Sequence, residues 1–242
     1  MERIILDNVS KKFWIGVKKN QNSLQQIISL ISGREPKKNF FALKEVSFSV
    51  HEKEIVGIIG KNGSGKSTLM RIISKIYKKD SGKIFSQGKI LPMIGLYLAL
   101  KPRLTMKDNI FLTGLLVGMS QNEIKMKYKS IVEYAGLGNF ENTKIYQFSE
   151  GMKQRLAFSI AIHTDSDIYL LDEVFEVGDE DFKKKSAETL RRKAEKGASI
   201  IFVTHDLEMI KKYCNKIIWL EKGKIKKIGG KEVVEEYKKQ NG

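Results

Sequence analysis

Apolar and polar residues follow one another along the chain in patterns that predict strands alternating with helices. An uninterrupted apolar run at 55–59 is typical of a buried strand, whereas 41–50 alternates apolar residues with serines, as in a strand with one exposed face. A further strand is predicted at 3–9. Later in the chain the patterns predict strands at 168–171, 199–203 and 216–220, with helices at about 180–196 and at 206–212 between them. This alternation predicts an α/β fold.

The middle of the chain, from about 96 to 163, has a helical pattern instead. Thr105 is a candidate N-cap for its first helix, and the capping box Ser120-Gln121-Asn122-Glu123 opens a second one. A third helix is expected over 150–163. A helical stretch inserted into an α/β protein predicts a helical subdomain.

Two shorter patterns complete the expected elements. The segment 83–94 predicts a β-hairpin that turns at Gln87-Gly88. The charged tail 231–242 predicts a short helix that is mostly solvated.

The segment 16–40 is expected to be an insertion between the first two strands. Within 23–32, four apolar residues recur at helical spacing and predict an amphipathic helix. So short a helix is marginal in isolation, so its apolar face must be buried. That face packs either on the domain's own β-subdomain or against a membrane surface or another protein. Its apolar stripe consists of Leu24, Ile27, Ile28 and Ile31.

The residues after the strand at 55–59 match the phosphate-binding pattern G-x-x-x-x-G-K-[ST] at every fixed position, and a helical pattern follows. Glycines allow consecutive backbone N–H groups to surround a phosphate chain. Lys66 can reach the β- and γ-phosphates, and the Ser67 hydroxyl can bind Mg²⁺. A structural glycine turn is the alternative, but the strand–loop–helix order favours a nucleoside triphosphate site. The expected binding residues are Gly60, Lys61, Asn62, Gly63, Ser64, Gly65, Lys66, Ser67 and Thr68.

Polar residues also follow two other predicted strands. Asp172 and Glu173 end the apolar run at 168–171, and His205 follows the strand at 199–203. Parallel strands deliver such residues to a ligand crevice at their carboxyl ends. There Asp172 can hold Mg²⁺ through water, and Glu173 can orient or deprotonate the water that attacks the γ-phosphate. A lone histidine is more often structural, but this position favours a γ-phosphate sensor at His205.

A serine and a glycine precede the helix predicted at 150–163. Ser149 can cap that helix, and Gly151 allows a close approach of the backbone, so the helix N-terminus can bind an anion. An ordinary N-cap is an equally good interpretation of these residues alone.

Composition limits the protein class. The 242 residues include one cysteine, Cys214, which excludes an internal disulfide. The amino terminus lacks the layout of a signal peptide, and the apolar runs are too short to span a bilayer, so we expect a cytoplasmic protein. The net charge of +16 is compatible with a lysine-rich background, an anionic membrane surface or nucleic acid. Scattered lysines without a recognition motif disfavour nucleic acid.

Four elements, in chain order, resemble the motifs of ABC-transporter ATPases. GKNGSGKST resembles Walker A, SEGMKQR the signature motif, IYLLDE Walker B, and His205 the switch histidine. The resemblance covers nearly the whole chain. It implies an α/β P-loop NTPase fold: a single ABC-type ATPase domain with an antiparallel β-subdomain and a helical subdomain. It also implies binding of ATP and Mg²⁺ and a head-to-tail homodimer. In that dimer, the signature residues of one copy would close on nucleotide held by the other; here they are Ser149, Glu150, Gly151 and Met152.

The same resemblance assigns two further roles. Val177-Gly178-Asp179 looks like the D-loop. Phe13 matches the aromatic position that contacts adenine, with Trp14 or Phe41 as alternatives or local packing as the explanation. The chain departs from the family pattern at Gly95, where a Q-loop glutamine is usual, and at Glu176.

Finer features resemble the ATPases of bacterial polysaccharide exporters, which move lipid-linked O-antigen, capsule or teichoic-acid polymers. These features include LPMIGLYLALKPRLTMKDNI and the one-glycine signature motif. The resemblance implies a polytopic membrane transporter subunit as partner and a location at the cytoplasmic face of the inner membrane. A carbohydrate-binding domain, which some relatives carry at the carboxyl end, is not expected within 1–242. A soluble ABC ATPase is the main alternative; a non-hydrolysing regulatory module is disfavoured by Glu173.

Overall fold

Two β-sheets and a group of helices make up the protein in a computed structural model, which describes residues 1–15, 38–172 and 179–241. The larger sheet has six strands in the order β5-β6-β7-β3-β8-β9. All of its neighbouring strands are parallel except β9, which pairs antiparallel with β8. Its strands are β3 (Ile55–Ile59), β5 (Ile90–Pro92), β6 (Ile168–Asp172), β7 (Ser199–Val203), β8 (Lys216–Glu221) and β9 (Lys224–Gly229).

The smaller sheet is antiparallel and has the strand order β2-β1-β4. Its strands are β1 (Glu2–Ile15), β2 (Lys38–His51) and β4 (Ser81–Ser86). The alternation predicted for 41–50 is present, since Val46, Phe48 and Val50 are buried and point to the core. This sheet is the predicted antiparallel part of the fold.

Helices follow most strands of the larger sheet. Helix α1 (Lys66–Ile73) follows β3, and α5 (Glu180–Glu195) and α6 (Leu207–Tyr213) flank β7 in the chain. The stretch from 96 to 162 is helical, as predicted, with α2 (Met106–Leu116), α3 (Gln121–Ala135) and α4 (Glu150–Ile162). Thr105 is the N-cap of α2, as expected, and forms a capping box with Asp108. Ser120 forms the expected capping box with Glu123 at the start of α3.

The central strands of the larger sheet are apolar on both faces because each face is covered. On one face, Val56 and Ile58 of β3 pack with the antiparallel sheet and α1. On the other face, Ile55 and Ile59 of the same strand pack with side chains of α4 and α5. Successive residues of a strand point to opposite faces, so the uninterrupted apolar run of β3 fills both cores.

The predicted hairpin over 83–94 is wrong. Strand β4 pairs with β1, whereas β5 pairs with β6 in the other sheet, so the chain crosses between sheets at Gln87-Gly88. The crossing is held by hydrogen bonds to Asp167 and to the first residue of β6. The Lys89 N–H donates to the Asp167 carboxylate over 2.7 Å, and the Lys89 carbonyl accepts from the Ile168 N–H over 3.1 Å.

The tail helix is present as α7 (Glu232–Asn241), but it is less solvated than predicted. Val233 and Val234 are fully buried, and the Tyr237 ring packs edge-on against Trp219 of β8 at 5.2 Å between centroids. The tail therefore contributes to the core.

The predicted amphipathic helix at 23–32 lies outside the described residues, and 38–40 of the predicted insertion belong to β2. Among the described residues, none of the helices combines the length and apolar character needed to span a bilayer.

Candidate functional site

The glycine loop between β3 and α1 has a backbone that requires glycine at several positions. Gly60, Gly63 and Gly65 have φ angles of 152°, 77° and 108°, in a region that side chains with a Cβ rarely adopt. At Gly63 an added Cβ would meet no atom within 4 Å, so this part of the loop faces open space. The loop therefore leaves room for a ligand beside its backbone.

Lys66 is buried at the start of α1, and its ammonium group folds back over the loop. Its Nζ donates to the carbonyl oxygens of Gly60 and Lys61 over 2.6 Å and 3.1 Å. These contacts hold the positive charge above the loop, where phosphate oxygens of a ligand would meet it.

The amino terminus of α1 is open to an anion. Its N-cap residue Gly65 has no side chain to cap the first backbone N–H groups, and the first turn carries no acidic residue. A cavity of about 200 Å³ opens at this end of the helix. It is lined by Phe40, Ala42, Asn62, Gly63, Gly65, Lys66, Ser67 and Thr68.

The aromatic residue that borders this cavity is Phe40, which the sequence reasoning missed. Phe13 is its cross-strand neighbour in β1, but the Phe13 ring packs edge-on against Tyr77, with 5.7 Å between centroids. Trp14 and Phe41 are exposed. The sequence does contain a signal for Phe40, because it stands next to Phe41. Neighbouring residues of a strand point to opposite faces, so the two rings have different surroundings.

The acidic and histidine candidates lie at the same edge of the larger sheet as the glycine loop. Asp172 is the last residue of β6, and His205 lies two residues beyond the end of β7. Strand β7 lies between β6 and β3, so the carboxyl ends of the three strands are adjacent. This is the crevice in which parallel sheets bind ligands. Glu173 lies outside the described residues.

The signature residues are on a different element. The Ser149 hydroxyl accepts a hydrogen bond from the Met152 N–H over 3.2 Å and caps α4, and Glu150 pairs with Lys153 over 2.7 Å. Ser149 and Glu150 are exposed, and an added Cβ at Gly151 would meet only the Ser149 hydroxyl, at 4.0 Å. The amino terminus of α4 therefore faces outward.

Asp179 caps the helix that follows the residues resembling a D-loop. Its carboxylate accepts a hydrogen bond from the Phe182 N–H over 2.8 Å at the start of α5. It also lies 3.7 Å from the guanidinium of Arg155, on the signature helix. Val177 and Gly178 lie outside the described residues.

Comparison with known proteins agrees with this arrangement. The sequence model of a family described as ABC transporter matches residues 43–176. The chain is 37% identical to a teichoic acids export ATP-binding protein, TagH, of Listeria innocua, over 97% of this chain and 69% of that protein. It is 32% identical to an O-antigen export system ATP-binding protein, RfbB, of Klebsiella pneumoniae, over 98% of each.

Solved structures show the same fold. The dimeric ATP-binding cassette MJ0796, in a post-hydrolysis state bound to ADP and Pi, superposes with a TM-score of 0.75 at 25% identity. The match covers 94% of this chain and 98% of MJ0796. Together with the family match and the glycine loop, this similarity shows that the chain belongs to the ABC transporter family and is one of its ATP-hydrolysing, nucleotide-binding cassettes.

Proposed function

We propose that this chain is the ATPase subunit of a transporter that exports a lipid-linked polysaccharide of the O-antigen, capsule or teichoic-acid type. The observation that carries the proposal is the match to the O-antigen export protein RfbB, which extends over 98% of both chains. The similarity to TagH supports the same class of cargo.

In this proposal ATP binds with its phosphates on the glycine loop. The backbone N–H groups at the start of α1 donate to phosphate oxygens, and Lys66 exchanges its contacts with loop carbonyls for contacts with the β- and γ-phosphates. Thr68 and Ser67 lie in the first turn of α1 and line the same cavity. Phe40 provides an apolar wall on which the adenine can stack.

The residues also fit a magnesium ion. The Ser67 hydroxyl and the Asp172 carboxylate are oxygen donors, the ligands that Mg²⁺ prefers, and both belong to elements whose ends meet at the crevice. Bound there, Mg²⁺ would neutralise charge on the phosphates. Glu173 orients or deprotonates the attacking water, and His205 contacts the γ-phosphate from the end of β7.

We propose that two copies assemble head to tail. The outward-facing amino terminus of α4, with Ser149, Glu150, Gly151 and Met152, then closes on nucleotide held by the second copy. The N–H groups at a helix N-terminus stabilise the negative charge of phosphate groups. Each nucleotide site is then formed by the phosphate loop of one copy and the signature motif of the other.

A polytopic membrane subunit is the proposed partner, and it would hold the dimer at the cytoplasmic face of the inner membrane. The helical stretch offers it apolar surface, because several of its large side chains are exposed. These are Leu98, Leu104, Leu115, Leu116, Met126, Phe140 and Tyr146. We propose no nucleic-acid partner.

Affinity purification of the tagged chain from detergent-solubilised membranes tests the function. We expect a polytopic membrane protein to co-purify, and depletion of the chain to remove a polysaccharide from the cell surface. The variant Lys66→Ala should still co-purify but should not restore the polymer. Recovery with ribosomes or DNA, and an unchanged surface polymer, would contradict export and favour a soluble ABC ATPase.

A further inference from the structure

The turn between β8 and β9 lies against the glycine loop and ties it to the antiparallel sheet. The Gly223 N–H donates to the Ser64 carbonyl over 3.0 Å, and the Gly223 carbonyl accepts from the Lys44 N–H over 2.8 Å. A single residue of the turn therefore bonds to the phosphate loop on one side and to β2 on the other.

The conformation of this turn depends on its two central residues. Lys222 and Gly223 have φ angles of 48° and 77°, and β8 ends and β9 begins immediately beside them. Positive φ at both central residues is typical of a type I′ hairpin turn, which favours glycine at the second position. The turn is thus a defined rather than an irregular connection.

The backbones at this junction approach too closely for a side chain. A Cβ added to Gly223 would lie 2.8 Å from the Ala42 carbonyl oxygen, and one added to Gly65 would lie 2.5 Å from the same oxygen. The Ala42 carbonyl is therefore enclosed between the phosphate loop and the turn. A Cβ on Gly60 would likewise lie 2.3 Å from the Leu220 carbonyl of β8. These contacts fix how closely the loop approaches β2 and β8.

That distance matters for nucleotide binding because β2 also forms a wall of the cavity. Ala42 and Phe40 are two residues apart in β2, and both line the cavity beside the phosphate loop. A displacement of β2 at Ala42 would shift Phe40 relative to the loop. It would also strain the carbonyl contact with Gly65 at the start of α1.

We propose that Gly223 is a positioning residue for ATP: it does not touch the nucleotide, but it sets the geometry of the phosphate loop and of the wall formed by β2. The role rests on the ATP-hydrolysing activity of the family and does not depend on which cargo is exported.

The variant Gly223→Ala tests the proposal, with Gly136→Ala as a matched control. Gly136 also has a positive φ, 66°, but its added Cβ would meet no atom within 4 Å, so this variant acquires backbone strain without a clash. We expect Gly223→Ala to raise the Kd for ATP about tenfold, a change that corresponds to ~1.4 kcal/mol. The control should keep the parental Kd although its melting temperature falls. A folded Gly223→Ala protein with the parental Kd would overturn the proposal, as would an equal loss of affinity in both variants.

Hydrogen exchange on the parental protein provides a second test that needs no variant. If the turn and the loop move as one unit, ATP should slow amide exchange in peptides covering 221–225 as well as in those covering 60–66. Slower exchange confined to 60–66 would show that the turn is not coupled to the site, and would overturn the proposal.

Discussion

The guanidinium of Arg155 lies 3.7 Å from the carboxylate of Asp179, so the signature helix α4 is paired with the residue that caps α5. Arg155 lies on the helix that begins with the signature residues, and Asp179 ends the segment that resembles a D-loop. Because Asp179 is also fixed by the Phe182 N–H, the ion pair gives Arg155 a defined orientation. The pair therefore links the two segments within one copy.

Replacing Arg155 with Gln should lower kcat several-fold with little change in KM for ATP. The substitution leaves the phosphate loop intact but releases the signature helix from Asp179, so an interaction needed after ATP binding is lost. The loss of stability should be below about 1 kcal/mol, because the pair is partly exposed. Steady-state ATPase assays and thermal melts measure both quantities.

Arg191 offers a matched control for this experiment. It pairs with Glu188 and Glu195 on the exposed face of α5, twelve residues beyond Asp179. Arg191→Gln should leave kcat and KM unchanged. Equal losses in the two variants would contradict a specific role for Arg155.

Lys66→Ala should weaken nucleotide binding itself and thereby lower ATP hydrolysis. Charge-assisted hydrogen bonds contribute roughly 1.5–3 kcal/mol each, which corresponds to at least a tenfold rise in Kd. Titration with a fluorescent ATP analogue measures this change. Lys78→Ala removes an equal charge from an exposed position beyond α1 and should bind normally. Tight binding by the Lys66 variant would refute the assigned phosphate contact.

Much of this site could be predicted because its signals are local. The strand at 55–59, the glycine loop and the caps at Thr105 and Ser120 each depend on a few consecutive residues, and all appear where they were expected. The order of strands places Asp172 and His205 at one edge by topology alone.

The remaining features depend on contacts between distant parts of the chain. Strands β4 and β5 lie only a few residues apart, yet they belong to different sheets. Strand β4 pairs with β1, whereas β5 pairs with β6. Likewise, nothing local in Lys222-Gly223 indicates that this turn contacts Ser64. Side-chain burial in the tail helix was missed for the same reason, since its partner Trp219 lies on β8.

The stability of the protein should fall as the pH drops below about 6.5, the ordinary pKa of histidine, in part through His163. Burial lowers the pKa of His163, and the nearby charges of Lys193, Lys127 and Lys185 lower it further, against an opposing hydrogen bond to the Ser159 carbonyl. The unfolded chain then binds a proton at a higher pH than the folded chain. Protonation therefore favours unfolding as the pH falls.

Chemical denaturation of the parental protein and of His163→Gln between pH 7.5 and 5.5 measures this contribution. The free energy of unfolding should decrease more steeply with falling pH in the parental protein, because glutamine does not titrate. Identical slopes would show that His163 titrates alike in the folded and unfolded states.

Phe40→Ala should weaken ATP binding without weakening the binding of tripolyphosphate. Phe40 lines the cavity next to the phosphate loop, and stacking of a base on an aromatic ring is worth roughly 1–3 kcal/mol, so the Kd for ATP should rise about fivefold or more. Tripolyphosphate carries no base and should bind both proteins equally. Isothermal titration with the two ligands separates the contribution of the base from that of the phosphates.

Phe13→Ala is the informative comparison, because the Phe13 ring packs against Tyr77. If Phe13 acts through that packing, its variant should melt at a lower temperature and keep the parental affinity for ATP. A selective loss of ATP binding in Phe13→Ala, with normal binding in Phe40→Ala, would instead assign the adenine contact to Phe13.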